Sequence, residues 1–214
     1  MSKKSLLITI AAICVMLVLV LMIPFMQPQL DDFGNTSDLT PVSLKLGNNQ
    51  FEIPKAYLWY KPNWAGEAKN SIHMVVTLPD YRPYSEETKI MFKGGPGVKY
   101  KLSFDLFKKL PGEKVEDIYF KDGYLERCEK NWKTFKVCPY DRNPELFEVM
   151  VNPNGQIPIA FVCPALATQR SPFCHMEMDY GPDLKLKIGL HETQLMTADA
   201  IIPKMLGILK GFEK

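Results

Sequence analysis

The side chains with the most chemical reach in this chain are four cysteines, Cys128, Cys138, Cys163 and Cys174. A fifth, Cys14, sits in an apolar run near the start. A structural metal site needs closely spaced ligand pairs such as C-x-x-C, and the shortest gap here, Cys128 to Cys138, leaves nine residues between them. An even number in an exported domain points to two disulfides, ahead of free thiols or a zinc site, with three connectivities open. Closing a short loop costs less entropy than closing a long one. The expected pairs are therefore Cys128 with Cys138 and Cys163 with Cys174, each facing itself across a hairpin. The rival linkages, Cys128 to Cys163 and Cys138 to Cys174, would staple two hairpins together.

Other chemistry is sparse. The chain carries no nucleophile elbow, H-E-x-x-H, P-loop or dinucleotide fingerprint. Gly94-Gly95-Pro96-Gly97 lacks the Lys-Ser/Thr that a phosphate loop needs and reads as a turn. His73, His175 and His191 each sit in a strand-like stretch without a neighbouring ligand pattern. His175 and Glu177 share one strand face, a spacing that an acid–base pair can use, although a solvated face beside a disulfide needs no such role. No cofactor, metal or enzymatic activity is expected.

Aromatic residues are dense in two stretches. Tyr57, Trp59, Tyr60 and Trp64 fall close together, and Asp80-Tyr81-Arg82-Pro83-Tyr84 follows. Exposed Trp, Tyr and Arg side chains are the material of interface hot spots. The candidate partner surface is Trp59, Tyr60, Trp64, Tyr81, Arg82 and Tyr84. Aromatics are also core material, so alternate members of the first group must point inward.

The elements that position these residues begin with Ser5 to Met26, an uncharged run directly behind Lys3 and Lys4. At about 1.5 Å per residue it spans roughly 33 Å as a helix, enough for a hydrocarbon core of about 30 Å. The run is longer than a signal-peptide core and ends without a small-x-small cleavage site. Ile13 stands where a lipoprotein signal before Cys14 needs a small residue. Residues 1–4 are thus expected in the cytoplasm, 5–26 as an uncleaved inner-membrane anchor, 27–41 as a polar tether and 42–214 as a periplasmic domain. Two lysines before the span and Asp31 and Asp32 after it set that orientation.

Beyond Val42 the pattern is that of an antiparallel sheet. Val42, Leu44 and Leu46 alternate, Gly47-Asn48-Asn49 turns the chain, and Phe51 and Ile53 resume. Strands are expected at 71–78, at 91–93 paired with 98–107, at 118–120 paired with 124–128, at 146–151 paired with 157–163, and at 184–190. Ile201, Ile202, Met205, Leu206, Leu209 and Phe212 recur at helical spacing, which predicts an amphipathic helix over 199–212. Pro203 fits best in its first turn, placing the start near that residue. The fold class is α+β: one mostly antiparallel domain, a C-terminal amphipathic helix and a single N-terminal transmembrane helix.

Charge excludes one class of partner. Residues 41–214 hold 24 basic and 21 acidic side chains, spread rather than clustered, so no nucleic-acid footprint exists. The string Phe51-Glu52-Ile53-Pro54-Lys55-Ala56-Tyr57-Leu58 leads to Leu78-Pro79-Asp80-Tyr81-Arg82-Pro83, and the chain closes with Cys174, a strand and the terminal helix. This order, over about half of the exported part, resembles the membrane-anchored periplasmic immunity proteins of bacterial type VI secretion systems. The resemblance implies a periplasmic antitoxin that binds and blocks a toxic effector, and it carries over no catalytic residue. The anchor and cysteines fit equally a structural or accessory component of an envelope or secretion complex. A periplasmic hydrolase whose site is assembled from distant residues is the third class.

Overall fold

Val42, Leu44 and Leu46 alternate with polar neighbours, and an extended backbone sends all three to one side. Strand β1 (Pro41–Leu46) buries these side chains and exposes the positions between them. Gly47 turns the chain at φ +62°, a conformation that costs a glycine little, and β2 (Asn49–Pro54) returns antiparallel with Phe51 and Ile53 buried. The computed structural model describes residues 33–93, 99–113, 123–154, 159–165 and 172–214, and Asn35–Lys214 forms one compact unit.

Eight further strands form one antiparallel sheet: β3 (Ser71–Thr77), β4 (Lys101–Lys108), β5 (Lys130–Trp132), β6 (Phe135–Pro139), β7 (Phe147–Asn152), β8 (Ile159–Pro164), β9 (Phe173–Tyr180) and β10 (Leu184–His191). Their order is β3-β4-β10-β9-β8-β7-β6-β5. The chain builds β3 and β4, starts again at the far edge with β5, and meanders back until β10 closes against β4. Ile72, Met74, Phe104, Leu186 and Ile188 point to the inner face, where the β1–β2 hairpin and helix α3 (Ala198–Phe212) cover them in a single core. Each such side chain contributes roughly 1.5–3 kcal/mol through burial. The C-terminus locks helix to hairpin, since Glu213 bridges Phe51, and the Lys214 amide donates to the Gln50 carbonyl at 2.9 Å.

A smaller core lies on the outer face over β6, β7 and β8, built from Tyr124, Cys138, Val149, Val151, Ala160 and Val162. Burial on both faces explains why β7 and β8 read as continuous apolar runs rather than alternations. Both expected disulfides are present, Cys128–Cys138 with Cα atoms 4.1 Å apart and Cys163–Cys174 at 4.2 Å. They clamp opposite faces: Cys163 and Cys174 belong to the inner core, Cys138 to the outer one.

The mostly antiparallel sheet and C-terminal helix match the sequence reading, with three local corrections. Residues 91–93 are not a strand: Lys89–Phe92 forms a short helix, numbered α2, behind a turn in which the Ser85 amide donates to Thr88 Oγ1 at 2.8 Å. Only Phe92 of that helix is buried, so the stretch lacks the two-residue alternation a strand requires. The segment 124–128 is a 3₁₀ turn at Leu125–Arg127, and β5 and β6 supply the hairpin instead. Helix α3 starts at Ala198, and Pro203 lies inside it. The proline forfeits one backbone hydrogen bond on an exposed position, while Ala198, Ile201 and Ile202 before it and Met205 and Leu209 after it are buried. The expected turn at 94–97, the first residue of the expected strand 98–107, the strand at 118–120 and the anchor over 5–26 lie outside the described residues. Among the described residues no helix is long and apolar enough to cross a membrane.

Candidate functional site

Both aromatic stretches run along the open edge of β3. Leu58 bridges Met74, and the Trp59 amide donates to the His73 carbonyl at 2.9 Å. Further along, the Thr77 amide donates to the Arg82 carbonyl at 2.9 Å, and the Tyr84 amide to Ala56 at 3.2 Å, which ties the two stretches together. The helix α1 (Lys61–Trp64) holds Asn63, fully buried, against the same edge. Its Nδ2 donates to Glu67 O at 2.6 Å and Ser71 O at 3.3 Å, and its Oδ1 accepts from the His73 amide at 3.2 Å. These contacts blunt an edge that would otherwise invite another strand. Nothing in the sequence pattern singles out Asn63, because its partners are backbone groups.

The six aromatic and Arg candidates divide by burial. Trp59 is 38% exposed and Arg82 is exposed, paired with Glu87. Tyr60 and Tyr84 are half-buried, Tyr60 edge-on to His73 at 5.5 Å and Tyr84 edge-on to Phe92 at 5.3 Å. Trp64 and Tyr81 pack against the inner core, and the Trp64 indole N–H donates to Leu58 O at 2.9 Å. Tyr81 adopts φ +55°, and Lys204 Nζ stands 5.8 Å from its ring centre. Burial pushes the Tyr57 and Tyr81 hydroxyls up from their ordinary range.

Beside this edge lies the outer sheet face over β3, β4, β10 and β9. The register sets His73, Asp105, Lys187 and Glu177 in one row across four strands. The next row holds Val75, Ser103, Gly189 and His175. Burial lowers the His175 pKa, Lys187 lowers it further and Glu177 opposes them, so the His175–Glu177 spacing does not by itself make a proton-binding pair. The preceding row carries Ser71, Phe107, Lys185 and Asp179. Lys185 Nζ lies 2.6 Å from Glu113 and 3.4 Å from Glu177, and Lys109 Nζ lies 2.9 Å from Asp179. The Glu113 hydrogen bond holds the Lys185 ammonium charged, and the same bond keeps Glu113 below its ordinary pKa. A groove of about 1240 Å³ opens at this end of the sheet, with Asn48, Asn70, Phe107, Leu110 and Lys185 in its walls.

Where the two features meet, three side chains come together. Ser71 Oγ lies 2.9 Å from His73 Nε2, and His73 Nδ1 lies 3.3 Å from Asp105 Oδ1. The Phe107 ring stands edge-on to the imidazole at 5.6 Å, as the Tyr60 ring does at 5.5 Å. Ser71 and His73 are neighbours through the strand period of two, but Asp105 joins them only through the β3–β4 register. No linear motif announces the group. Among the described residues no cluster of three or more His, Cys, Asp or Glu side chains could hold a metal ion.

No family model matches the chain. No curated protein matches its sequence. Two solved structures share its fold. One is Smlt3025, an immunity protein of the Stenotrophomonas maltophilia type IV secretion system, with TM-score 0.54 and 13% identity over 82% of this chain and 94% of that one. The other is the Neisseria meningitidis iron-regulated outer membrane lipoprotein FrpD, with TM-score 0.51 and 14% identity over 84% and 97% of the two chains.

Proposed function

We propose that this chain is a membrane-anchored immunity protein. Residues 5–26 hold it in the inner membrane with the N-terminus in the cytoplasm, and its disulfide-bonded periplasmic domain binds and neutralises a protein effector. The observation that carries this reading is the fold held in common with an immunity protein over 82% of this chain and 94% of that one. The short motifs pointed to a type VI system, whereas the solved neighbour serves a type IV system. The reading rests on what both share, an immunity protein, and keeps type VI delivery as its narrower form. In this role the chain acts by binding its partner. The contact is placed on Trp59, Tyr60, Arg82 and Tyr84 along the β3 edge, with Trp64 and Tyr81 supporting them from the core side.

Purified full-length chain should bind one effector from a sibling strain stoichiometrically, and the complex should lack the effector's toxicity. An effector that stays free at micromolar concentrations of the chain would count against the reading. The second structural neighbour, an outer membrane lipoprotein, favours the alternative of an envelope accessory component. In that case pull-down from membranes would recover a fixed envelope assembly, and no exported toxin.

A further inference from the structure

We propose that Ser71 is an activated nucleophile that takes acyl groups from carboxylic esters, with His73 as its base and Asp105 as the positioning residue. The proposal does not rest on the immunity reading, which concerns the aromatic edge and a protein partner. Three features of the site support it.

The first is the hydrogen-bond order. Ser71 Oγ stands 2.9 Å from His73 Nε2, within reach for direct proton transfer. Asp105 Oδ1 stands 3.3 Å from the other ring nitrogen. In the tautomer that carries its proton on Nδ1, the nitrogen nearer Asp105, Nε2 is left to accept the serine proton, as nucleophile, base and orienting carboxylate need.

The second is the state of Asp105. Its Oδ1 is buried and accepts no aligned hydrogen bond from a described residue. A buried carboxylate oxygen left in that state costs stability, and such atoms call for an explanation. A charge that develops on the imidazole during reaction would supply the missing partner. Lys187 is its register neighbour on β10.

The third is the surroundings. Ser71 faces Phe107 across the β3–β4 pair, and Tyr60 and Phe107 flank the imidazole edge-on. The groove reaches this point through Asn70 and Phe107. An ester with a small acyl group and an aromatic or apolar alcohol fits that lining.

In the reaction a bond forms from Ser71 Oγ to the acyl carbon while the serine proton passes to His73 Nε2. The carbonyl re-forms as the bond to the alcohol oxygen breaks, and that oxygen takes the proton from Nε2. Water then repeats the sequence on the acyl-serine, releasing a carboxylic acid and restoring Ser71. A fluorophosphonate stops at the first half, with fluoride as the leaving group and a stable Ser71 adduct.

The experiment treats the full-length chain in detergent with a fluorophosphonate and locates the adduct by peptide mass mapping. The expected result is one adduct, on Ser71. H73Q should slow labelling at least a hundredfold. D105N should slow it at least tenfold and move the pH–rate profile to lower pH, a shift that a purely structural carboxylate would not produce. S103A, on the same face but outside the group, should label as the wild type does. Turnover of p-nitrophenyl acetate should fall in parallel and vanish in S71A. No adduct on Ser71, an adduct only on another serine, or a rate indifferent to H73Q would overturn the proposal. Mapping on the wild-type chain decides even if a variant fails to fold.

Discussion

Gly189 on β10 and Ser103 on β4 face each other on the outer sheet surface, and a Cβ added at Gly189 would stand 2.4 Å from Ser103 Oγ. The missing side chain leaves that hydroxyl its place. G189A should force the Ser103 rotamer to change, at about 0.5–1.5 kcal/mol for a displaced side chain. The lower entropy of the unfolded alanine chain offsets part of this. G189A/S103A should therefore be more stable than G189A alone, and a double-mutant cycle by denaturant unfolding should show coupling of about 0.5–1.5 kcal/mol. Strict additivity would mean the two residues do not compete for the same space.

Asn63 is the buried residue on which the β3 edge depends. Removing its amide leaves the His73 amide and the Ser71 and Glu67 carbonyls without these partners. Each buried, unpaired polar group costs about 1–3 kcal/mol, so N63A should destabilise the domain by about 2–4 kcal/mol. Urea unfolding checks this. A loss below about 1 kcal/mol would show that water replaces the side chain at that edge.

Acid should weaken the contact between Asp38 and Lys55. The hydrogen bonds from Thr40, followed by the Lys55 contact, hold the Asp38 carboxyl down at about 2. A folded-state pKa below the unfolded one gives stability that is present above the unfolded value and lost as pH falls through the folded one. The wild type should thus lose stability between about pH 4 and pH 2 through this group. D38N should show a flatter acid limb in thermal unfolding scans. Parallel curves would remove Asp38 from the account.

Non-reducing peptide mapping of chain taken from the envelope should recover Cys128–Cys138 and Cys163–Cys174. Replacing Cys163 and Cys174 by alanine should cost about 2–4 kcal/mol, the usual value for a loop of this kind. Four alkylatable thiols in freshly isolated chain would contradict both the pairing and the periplasmic placement.

Much of the frame is legible in the residues themselves. Val42-Leu44-Leu46, Leu184 to Leu190 and the spacing of Ile201 through Leu209 each carry one period, so one face of each element is assigned before any partner is known. The cysteine pairs follow from loop length for the same local reason. What stays hidden depends on long-range register. Ser71, His73 and Asp105 meet because β3 pairs with β4, and β4 finds β10 only after the chain has built β5 to β9. The helix Lys89–Phe92 escapes because three of its four residues are not buried, leaving no apolar stripe to detect. Pro203 misleads because local preference places it in a first turn, while burial of Ala198 and Ile201 pulls the helix further back.

The most direct test of the central claim is competition against toxin-bearing sibling strains. Cells lacking this chain should be killed by one particular attacker, and the wild-type chain should rescue them. W59A/R82A, altered only at exposed positions of the β3 edge, should accumulate normally yet fail to protect. W64A should instead lower the amount of folded chain, because that indole is bonded to Leu58 and packed on the core. If cells without the chain survive beside every such strain, the chain is not an immunity protein.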